Sequence, residues 1–403
     1  MAIEIGRYTG EWDELLELLD MVFAAAWSGD QYEAERGVWE HERSIAATDN
    51  GQLVGHTGAF SHRMTVPGAQ VPVAGVTMVG VRATHRRRGI LRDLMRKQLT
   101  DIHEAGNEPL AALTASEPVI YPRFGYGLAS EHYSVAVPRQ SRALWPVAGI
   151  DDVQLRQVDV HESVARCAEL RNKLAADRPG MFQHDERWQQ YAIRDNVTMD
   201  PSGASKLRCV VAERDGELTG YTYYRTKRVD TNCVEVDRLH AADLASHAAL
   251  WRYLLDQDLM RETRFDKLAV DDPLLDLVLD PRALGRRTWD GVWVRPVDVG
   301  RALAARTYAR DIDVVFEIRD DFLPWNAGKW HLTGGSDGAQ CESTDRAADL
   351  TLDVRDLGAV YLGRPGLARL GRAGLVDEHT AGALAAVGEA FSTTRLPILD
   401  TGF

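Results

Sequence analysis

The fold of the first part of the chain is decided by residues 76–92, which read VTMVGVRATHRRRGILR. The first six of these residues, Val76–Val81, are mostly apolar and predict a buried β-strand. From Leu91 to Ile102 apolar residues recur at helical spacing, and Gly106 is a natural end for that helix. The sequence therefore predicts a strand, an arginine-rich loop and an amphipathic helix in direct succession.

The loop contains Arg86, Arg87, Arg88 and Gly89, and its position predicts an anion-binding site. Gly89 lets the backbone turn tightly and approach a ligand. The free N–H groups and the positive dipole end of the following helix are directed at the same place, where a pyrophosphate fits. Alternatively, the three arginines and the glycine form only a solvent-exposed helix cap, which is the usual role of such a sequence in an arbitrary context. The strand before the loop and the helix after it favour the phosphate site.

A second feature is an internal repeat. Residues 50–57, NGQLVGHT, resemble residues 215–222, DGELTGYT. Such a turn recurs by chance, but in both places a strand pattern and then a helix pattern follow, which indicates a duplicated fold. The second copy has nothing like Arg-Arg-Arg-Gly, so we expect one cofactor site per chain.

The chain has 403 residues, more than one hydrophobic core usually serves. From roughly Arg295 onward the pattern changes to short strands separated by glycine and aspartate turns, followed by apolar helical segments. This pattern predicts an α+β third domain. The predicted domains are residues 1–145, 146–294 and 295–403.

Composition limits the class of function. Apolar residues make up 45% and charged residues 27% of the chain, which is typical of a folded protein. A formal net charge of −13 argues against a nucleic-acid partner and suits cationic substrates, although solubility explains it equally well. No stretch has the roughly twenty apolar residues of a membrane span, and residues 1–12 lack a signal-peptide pattern. We therefore expect a soluble, cytoplasmic protein without a membrane partner.

The spacing of cysteine and histidine predicts no metal site. The histidines show no ligand spacing, and the cysteines are scattered singly. Buried thiols are expected at Cys167, Cys209, Cys233 and Cys341.

Arg86 and Gly89 occupy the first two fixed positions of Gln/Arg-x-x-Gly-x-Gly/Ala, and the loop resembles this signature of the GCN5-related N-acetyltransferases (GNAT family). Leu91 stands where that family has a small residue. The resemblance implies acetyl-CoA as co-substrate and a bulge in the preceding strand, most naturally at Gly80, that binds the pantetheine arm. The cofactor-binding residues that it implies are Val79, Gly80, Val81, Arg87, Arg88, Gly89, Ile90, Leu91, Arg92, Ser116 and Glu117.

Residues 120–127, IYPRFGYG, resemble the Tyr-x-Arg/Lys-x-Gly-Phe segment of GNAT enzymes. The resemblance implies that Tyr121 is the general acid, because its hydroxyl can protonate the thiolate that leaves when an amine attacks a thioester. Tyr126 is a rival, although it aligns with the aromatic residue that packs after the glycine. Alternatively, Tyr121 is a core aromatic residue with a satisfied hydroxyl, and its mutation would impair folding instead of catalysis.

The whole layout, together with residues 83–92, residues 360–363 and the final Phe403, resembles the enhanced intracellular survival (Eis) acetyltransferases. The resemblance implies an α+β architecture of tandem GNAT-like domains, one active and one degenerate, followed by a sterol-carrier-protein-like domain. It also implies a homohexamer and a catalytic base in the carboxylate of Phe403. Against the last role, most chain termini are mobile and have none.

The same resemblance implies direct transfer, in a ternary complex, to a primary amine of an aminoglycoside-like compound or a lysine side chain. Relatives that acetylate aminoglycosides have acidic residues at two positions that here hold Ala25 and Gly402, which leaves cation selection open. Phe23 and Met78 are predicted walls of the substrate pocket, or else plain core residues. An alternative from another class is a non-catalytic acetyl-CoA sensor, or a scaffold that binds an apolar ligand or a partner.

Overall fold

The structure is a computed structural model that describes residues 3–24, 30–194, 203–228, 232–364 and 366–403. In these residues the strands form sheets of seven, seven and five strands. The strands, in chain order, are β1 (Glu4–Arg7), β2 (Ile45–Asp49), β3 (Gln52–Val66), β4 (Ala69–Val81), β5 (Leu110–Thr114), β6 (Gly127–Leu128), β7 (Glu131–Pro138), β8 (Gln154–Val158), β9 (Arg208–Arg214), β10 (Glu217–Lys227), β11 (Cys233–Ala241), β12 (Glu262–Ala269), β13 (Arg287–Asp290), β14 (Val292–Pro296), β15 (Ile312–Arg319), β16 (Gly328–Gly335), β17 (Gly338–Ser343), β18 (Leu350–Asp353) and β19 (Val376–Glu378). The helices are α1 (Trp12–Phe23), α2 (Asp30–Val38), α3 (Ile90–Ala105), α4 (Val160–Ala175), α5 (Glu186–Ala192), α6 (Leu244–Leu255), α7 (Leu274–Leu277), α8 (Val299–Ala304), α9 (Val354–Val360), α10 (Leu367–Arg372) and α11 (Ala383–Ala390).

The succession of strand, loop and helix is confirmed. Strand β4 ends at Val81, and α3 runs from Ile90 to Ala105. Gly106 ends the helix in the left-handed conformation, with φ of 68°, and its N–H donates to two carbonyls of the last turn. The apolar face of α3 packs on the first sheet, whose order is β1-β2-β3-β4-β5-β14-β6.

The internal repeat has a structural counterpart. The β2–β3 and β9–β10 hairpins turn at Asn50–Gly51 and at Asp215–Gly216, where all four residues have positive φ. This is the conformation of a two-residue type I′ turn. In both units the hairpin leads through one further strand to a helix and then to a parallel strand, since β4 pairs with β5 and β11 pairs with β12 in parallel.

The first two sheets exchange strands. Strand β7 lies within residues 1–145 but pairs with β12 and β13 of the second sheet. Strand β14, in turn, pairs with β5 and β6 of the first sheet. Divisions at residues 145 and 294 therefore do not separate the first sheet from the second. The second sheet, the centre of the second unit, includes β7 from before residue 145. The first sheet, the centre of the first unit, includes β14, which spans residue 294.

The third sheet has the order β17-β16-β15-β18-β19, and α9 connects it to the first sheet. Glycines allow this contact: a Cβ at Gly127 would lie 1.9 Å from the carbonyl oxygen of Arg355, and one at Gly358 would lie 2.3 Å from that of Val294. Close to this contact, the guanidinium of Arg295 and the carboxylate of Asp320 form a fully buried ion pair at 2.6 Å.

Two histidines are buried in the first unit with their rings neutral. Burial lowers the pKa of His56 to about 4 and that of His62 to about 3. In an unfolded chain both rings would have a pKa of about 6.5. Below that pH the unfolded chain binds more protons than the folded chain. The stabilising contribution of the neutral rings is therefore complete above about pH 6.5 and is lost as the pH falls.

We expect each ring to reduce the free energy of unfolding by up to about 1.4 kcal/mol per pH unit between about pH 6 and pH 4. His62→Phe keeps the stacking on Phe182, where the ring centroids are 4.3 Å apart, and should make this slope shallower. Urea denaturation at a series of pH values measures it. Exchange of the exposed His161 for Gln is the control, and an identical slope in both variants would contradict the assignment.

Thiols and metal ligands form no centre in the described part of the chain. The cysteines are free: Cys167, Cys209 and Cys233 are buried and Cys341 is half-buried. Within the ranges given above, no group of three or more His, Cys, Asp or Glu is placed to hold a metal ion.

None of the described helices is long and apolar enough to cross a membrane.

Candidate active site

The bulge in β4 is the first element of the site. The register of the β3–β4 ladder shifts between His56 and Gly58, where two residues of β4, Met78 and Val79, lie opposite one residue of β3. Met78 has a positive φ of 52°, and its carbonyl accepts a hydrogen bond of 2.9 Å from Nδ1 of His56. The bulge therefore lies at Met78 and Val79, and its placement at Gly80 was wrong. His56, which the sequence analysis missed, supports it.

Gly80 is required for a different reason. It pairs regularly in the ladder, but a Cβ there would lie 2.8 Å from Cγ1 of Val22 on α1. The close packing of α1 on β4 therefore needs a residue without a side chain at this position.

We expect Gly80→Ala to lower the free energy of unfolding by about 1–3 kcal/mol, because the added methyl group overpacks the contact with Val22. Urea denaturation of Gly80→Ala, Val22→Ala and the double variant forms a mutant cycle. The double variant should recover part of the loss, since Val22→Ala removes the clashing methyl groups. Strictly additive losses would show that the clash is not the cause.

The arginine-rich loop presents an open helix start. Arg87 and the N-cap residue Gly89 both have left-handed backbones, with φ of 62° and 85°. Gly89 has no side chain that could accept from the first N–H groups of α3, and these groups have no partner within the helix. A cavity of about 750 Å³, here called the loop cavity, lies against this helix start and the end of β4.

Most of the predicted cofactor residues line the loop cavity. They are Val79, Gly80, Val81, Arg87, Gly89, Ile90, Leu91, Arg92, Ser116 and Glu117. Arg86, predicted only as part of the motif, lines it as well. Arg88 does not: its guanidinium lies 3.6 Å from the carboxylate of Asp49. The assignment of Arg88 as a cofactor-binding residue stays a prediction.

Tyr121 lies where the loop cavity meets a second cavity of about 760 Å³, here called the tail cavity. It opens a short 3₁₀ turn, Tyr121–Phe124, and its side chain is buried. Burial, and then the charge of Glu117, raises the pKa of Tyr121 to about 12, so the phenol keeps its proton at neutral pH. The residues that line both cavities are Phe23, Val79, Ser116 and Tyr121.

Tyr126 lies in the core and lines neither of the two cavities. Its ring is fully buried 6.0 Å from that of Tyr121, and its hydroxyl has no hydrogen-bond partner among the described residues. Of the two tyrosines that the sequence left open, the geometry favours Tyr121.

Phe403, the last residue of the chain, lines the tail cavity. Its ring packs against His62 and Phe182, each with a centroid distance of 5.2 Å, and one oxygen of its carboxylate accepts a 3.2 Å hydrogen bond from Thr114 Oγ1 at the end of β5. Gly402, Phe23 and Met78 also line this cavity. Ala25, the other position compared with aminoglycoside-acetylating relatives, lies outside the described residues.

The final segment, residues 396–403, is held by the second unit. The carboxylate of Asp400 accepts hydrogen bonds of 2.6 and 2.9 Å from the guanidinium of Arg171 on α4, and the backbone N–H of Ile398 donates to the carbonyl of Pro179. Arg171 also donates to the carbonyl of Phe182. This attachment could not be predicted from the sequence, since neither Arg171 nor Asp400 belongs to a motif.

The second unit also forms the far wall of the tail cavity, with residues of β11 and β12. This wall was not predicted, although the sequence carries a signal for it. In β11 the apolar Val234 and Val236 alternate with charged residues, which is typical of a strand with one face on a core and the other on a polar space. The charged wall residues are Arg225, Glu235, Asp237, Arg238, Asp266 and Lys267.

Three protein-family models match successive parts of the chain. Residues 8–129 match the family model of an acetyltransferase (GNAT) domain, and residues 180–297 match a further model of the same description. Residues 299–400 match the model of a sterol carrier protein domain.

Relatives cover most of the chain. An uncharacterized N-acetyltransferase of Streptomyces avermitilis is 47% identical over 379 residues, which are 92% of each chain. N-acetyltransferase Eis of Mycobacterium tuberculosis is 34% identical over 338 residues, which are 79% of this chain and 77% of that protein. The chain belongs to the Eis family of N-acetyltransferases. The crystal structure of Eis1 from Mycobacterium abscessus is similar over 100% of both chains, with 33% identity and a TM-score of 0.84.

Membership of the Eis family confirms two predictions. The order of two GNAT domains and a sterol-carrier-protein-like domain is the predicted architecture, and the chain is an N-acetyltransferase. The degenerate unit has no counterpart of the arginine-rich loop, because β11 is followed at Leu244 by α6 with an aspartate cap, Asp243, where α3 has Gly89.

Proposed function

We propose that this Eis-family enzyme transfers an acetyl group from acetyl-CoA to a primary amine by direct attack while both substrates are bound. The proposal rests on the meeting of the loop cavity and the tail cavity at Tyr121. One cavity has an anion-binding helix start, and the other is lined by acidic and basic groups. A buried phenol that keeps its proton separates them.

The residues of the loop cavity fit the pyrophosphate and pantetheine of acetyl-CoA. Open N–H groups at the start of α3 and the side chains of Arg86, Arg87 and Arg92 would hold the pyrophosphate. The backbone of Met78 and Val79, freed from regular pairing by the bulge, would bind the amides of the arm. The second unit lacks such a loop, and the proposal therefore specifies one acetyl-CoA per chain.

The thioester supplies the acetyl group, and the chain's own residues manage the protons. As the amine nitrogen bonds to the acyl carbon, the carbon–sulfur bond breaks, and Tyr121 donates its hydroxyl proton to the departing sulfur. The amine loses a proton, for which the carboxylate of Phe403 is the proposed base. Burial keeps the phenol of Tyr121 protonated at neutral pH, so its hydroxyl proton is available to the departing sulfur.

The proposed acceptors are multi-amine compounds of the aminoglycoside kind or lysine side chains. Phe23 and Met78 supply apolar walls near Tyr121, and both carboxylates and cationic groups line the rest of the tail cavity. Assembly as a homohexamer, which the resemblance to the Eis family implies, is part of the proposal and can be tested by sedimentation velocity.

Initial-rate kinetics of CoA release tests the proposed reaction order. Varying acetyl-CoA at several amine concentrations should give intersecting double-reciprocal lines, since both substrates bind before transfer. Parallel lines would indicate an acetylated enzyme and contradict direct attack. Deleting Phe403 should lower kcat without weakening acetyl-CoA binding, and unchanged kcat would remove the base assignment while leaving the transfer itself intact.

A further inference from the structure

The third domain contributes a residue to the loop cavity. Phe322, in the loop between β15 and β16, lines that cavity together with the start of α3 and the turn that begins at Tyr121. Arg96 of α3 holds this residue: its Cζ lies 4.4 Å from the centroid of the Phe322 ring, and its guanidinium donates a 2.7 Å hydrogen bond to the Phe322 carbonyl oxygen. The cavity proposed for acetyl-CoA therefore has one wall from outside the two GNAT domains.

A buried network fixes the backbone of Phe322. One oxygen of the Asp320 carboxylate accepts hydrogen bonds from the backbone N–H groups of Phe322 and Leu323, at 3.1 and 2.9 Å. The other oxygen accepts from the guanidinium of Arg295 at 2.6 Å. Arg295 also packs against Gly125, where a Cβ would lie 2.7 Å from its Cζ. The same buried ion pair thus holds Phe322 and the turn that Gly125 ends in one fixed arrangement.

The position of Phe322 indicates which part of the cofactor it meets. Among the described residues, the phenylalanine and tyrosine side chains that line the loop cavity fall into two pairs. Phe23 and Tyr121 also line the tail cavity, and they therefore lie at the acetyl end of the cofactor. Phe124 and Phe322 do not line the tail cavity, and their ring centroids are 5.1 Å apart. These two rings are an aromatic surface for a part of the cofactor other than its acetyl arm.

From this arrangement we infer that the third domain takes part in acetyl-CoA binding, with Phe322 as the wall against which the adenosine end packs. The inference rests on the proposed function and adds a residue to its donor site. In CoA the pantetheine arm and the adenosine are attached at opposite ends of the pyrophosphate. With the pyrophosphate at the start of α3 and the acetyl group at Tyr121, the adenosine is left for the remaining, aromatic part of the cavity, which suits a flat base.

Two related ligands test the inference. CoA contains the adenosine, and 4′-phosphopantetheine is the arm without it. In calorimetry, Phe322→Leu should weaken the binding of CoA at least about fivefold, the lower limit for contact between a base and an aromatic ring. The Kd of 4′-phosphopantetheine, measured by competition, should stay unchanged. Phe322→Tyr keeps the ring and should retain most of the affinity for CoA.

Trp325→Leu is the control for looser docking of the third domain. The ring of Trp325 stacks on His103 of α3 with a centroid distance of 4.2 Å, but Trp325 does not line the loop cavity. Its replacement also removes an aromatic contact with α3 and should leave both Kd values unchanged. Equal weakening of CoA binding in Trp325→Leu and Phe322→Leu would show that only domain docking matters and would overturn the inference.

Other results would overturn the inference while the proposed function stands. One is a Phe322→Leu variant that binds CoA as tightly as the unaltered protein, and another is an equal loss for both ligands. Equal Kd values of CoA and 4′-phosphopantetheine in the unaltered protein would overturn it without any variant. If Phe322→Leu does not fold, Phe322→Met, which is closer in length, takes its place. An unaltered protein that does not bind CoA at all would instead contradict the proposed function.

Discussion

Replacing Tyr121 by phenylalanine is expected to lower kcat by about 10²- to 10⁴-fold, the usual contribution of a positioned general acid. The ring would keep its place in the core, and the Kd of acetyl-CoA should stay close to normal because the loop cavity is otherwise unchanged. CoA release measures kcat, and calorimetry measures the Kd. The loss should appear in kcat and kcat/KM together, as for a group that acts only in the transition state.

Tyr126→Phe is the matched control. Its hydroxyl has no partner in the described residues and the ring lines neither cavity, so removal of the hydroxyl should leave kcat unchanged. If Tyr121→Phe unfolds the protein or loses acetyl-CoA binding, Tyr121 is a core residue. If Tyr126→Phe carries the kcat loss instead, the assignment of the acid is wrong.

Arg171→Met is expected to cost about 3–5 kcal/mol, because it leaves the carboxylate of Asp400 buried without its guanidinium partner. Burial alone would raise the pKa of Asp400, but Arg171 and His240 hold it well below the usual range. The segment that carries Phe403 should then detach from the second unit, and kcat should fall with it. Urea denaturation and CoA release measure the two effects.

Two further variants show whether the ion pair is responsible. Arg166→Met, on the same helix but half exposed and paired with Glu213, should cost less than about 1 kcal/mol. Asp400→Leu added to Arg171→Met removes the stranded charge and should recover most of the stability. A loss in Arg171→Met no larger than that in Arg166→Met would contradict the role of this pair in positioning the segment.

Local patterns carried the predictions that the structure bears out. The succession from Val76 to Gly106 is encoded by neighbours in the chain: an apolar run, a glycine at the helix start and a left-handed glycine at its end. The bulge at Met78 could not be placed in the same way, because it depends on the register of β4 against His56 on another strand. The bulge was predicted at Gly80 because that residue is a glycine, but a glycine is needed there because Val22 of α1 packs closely against it.

Long-range partners explain the other misses. The alternating pattern of β7 or β14 shows that each is a strand, but it does not show which sheet the strand joins. Residues of β4, β11, β12 and 400–403 are among those that line the tail cavity, so no single segment contains it whole. Arg171 and Asp400 are 229 residues apart, and each reads as an ordinary surface charge until the fold brings them together.

The most direct test of the account is CoA release from acetyl-CoA with a panel of amines, which includes aminoglycosides, lysine-containing peptides, free lysine and cadaverine. The account predicts saturable turnover with at least one of these amines. An enzyme that binds acetyl-CoA but acetylates none of these amines would contradict the proposed reaction and favour a protein that senses acetyl-CoA.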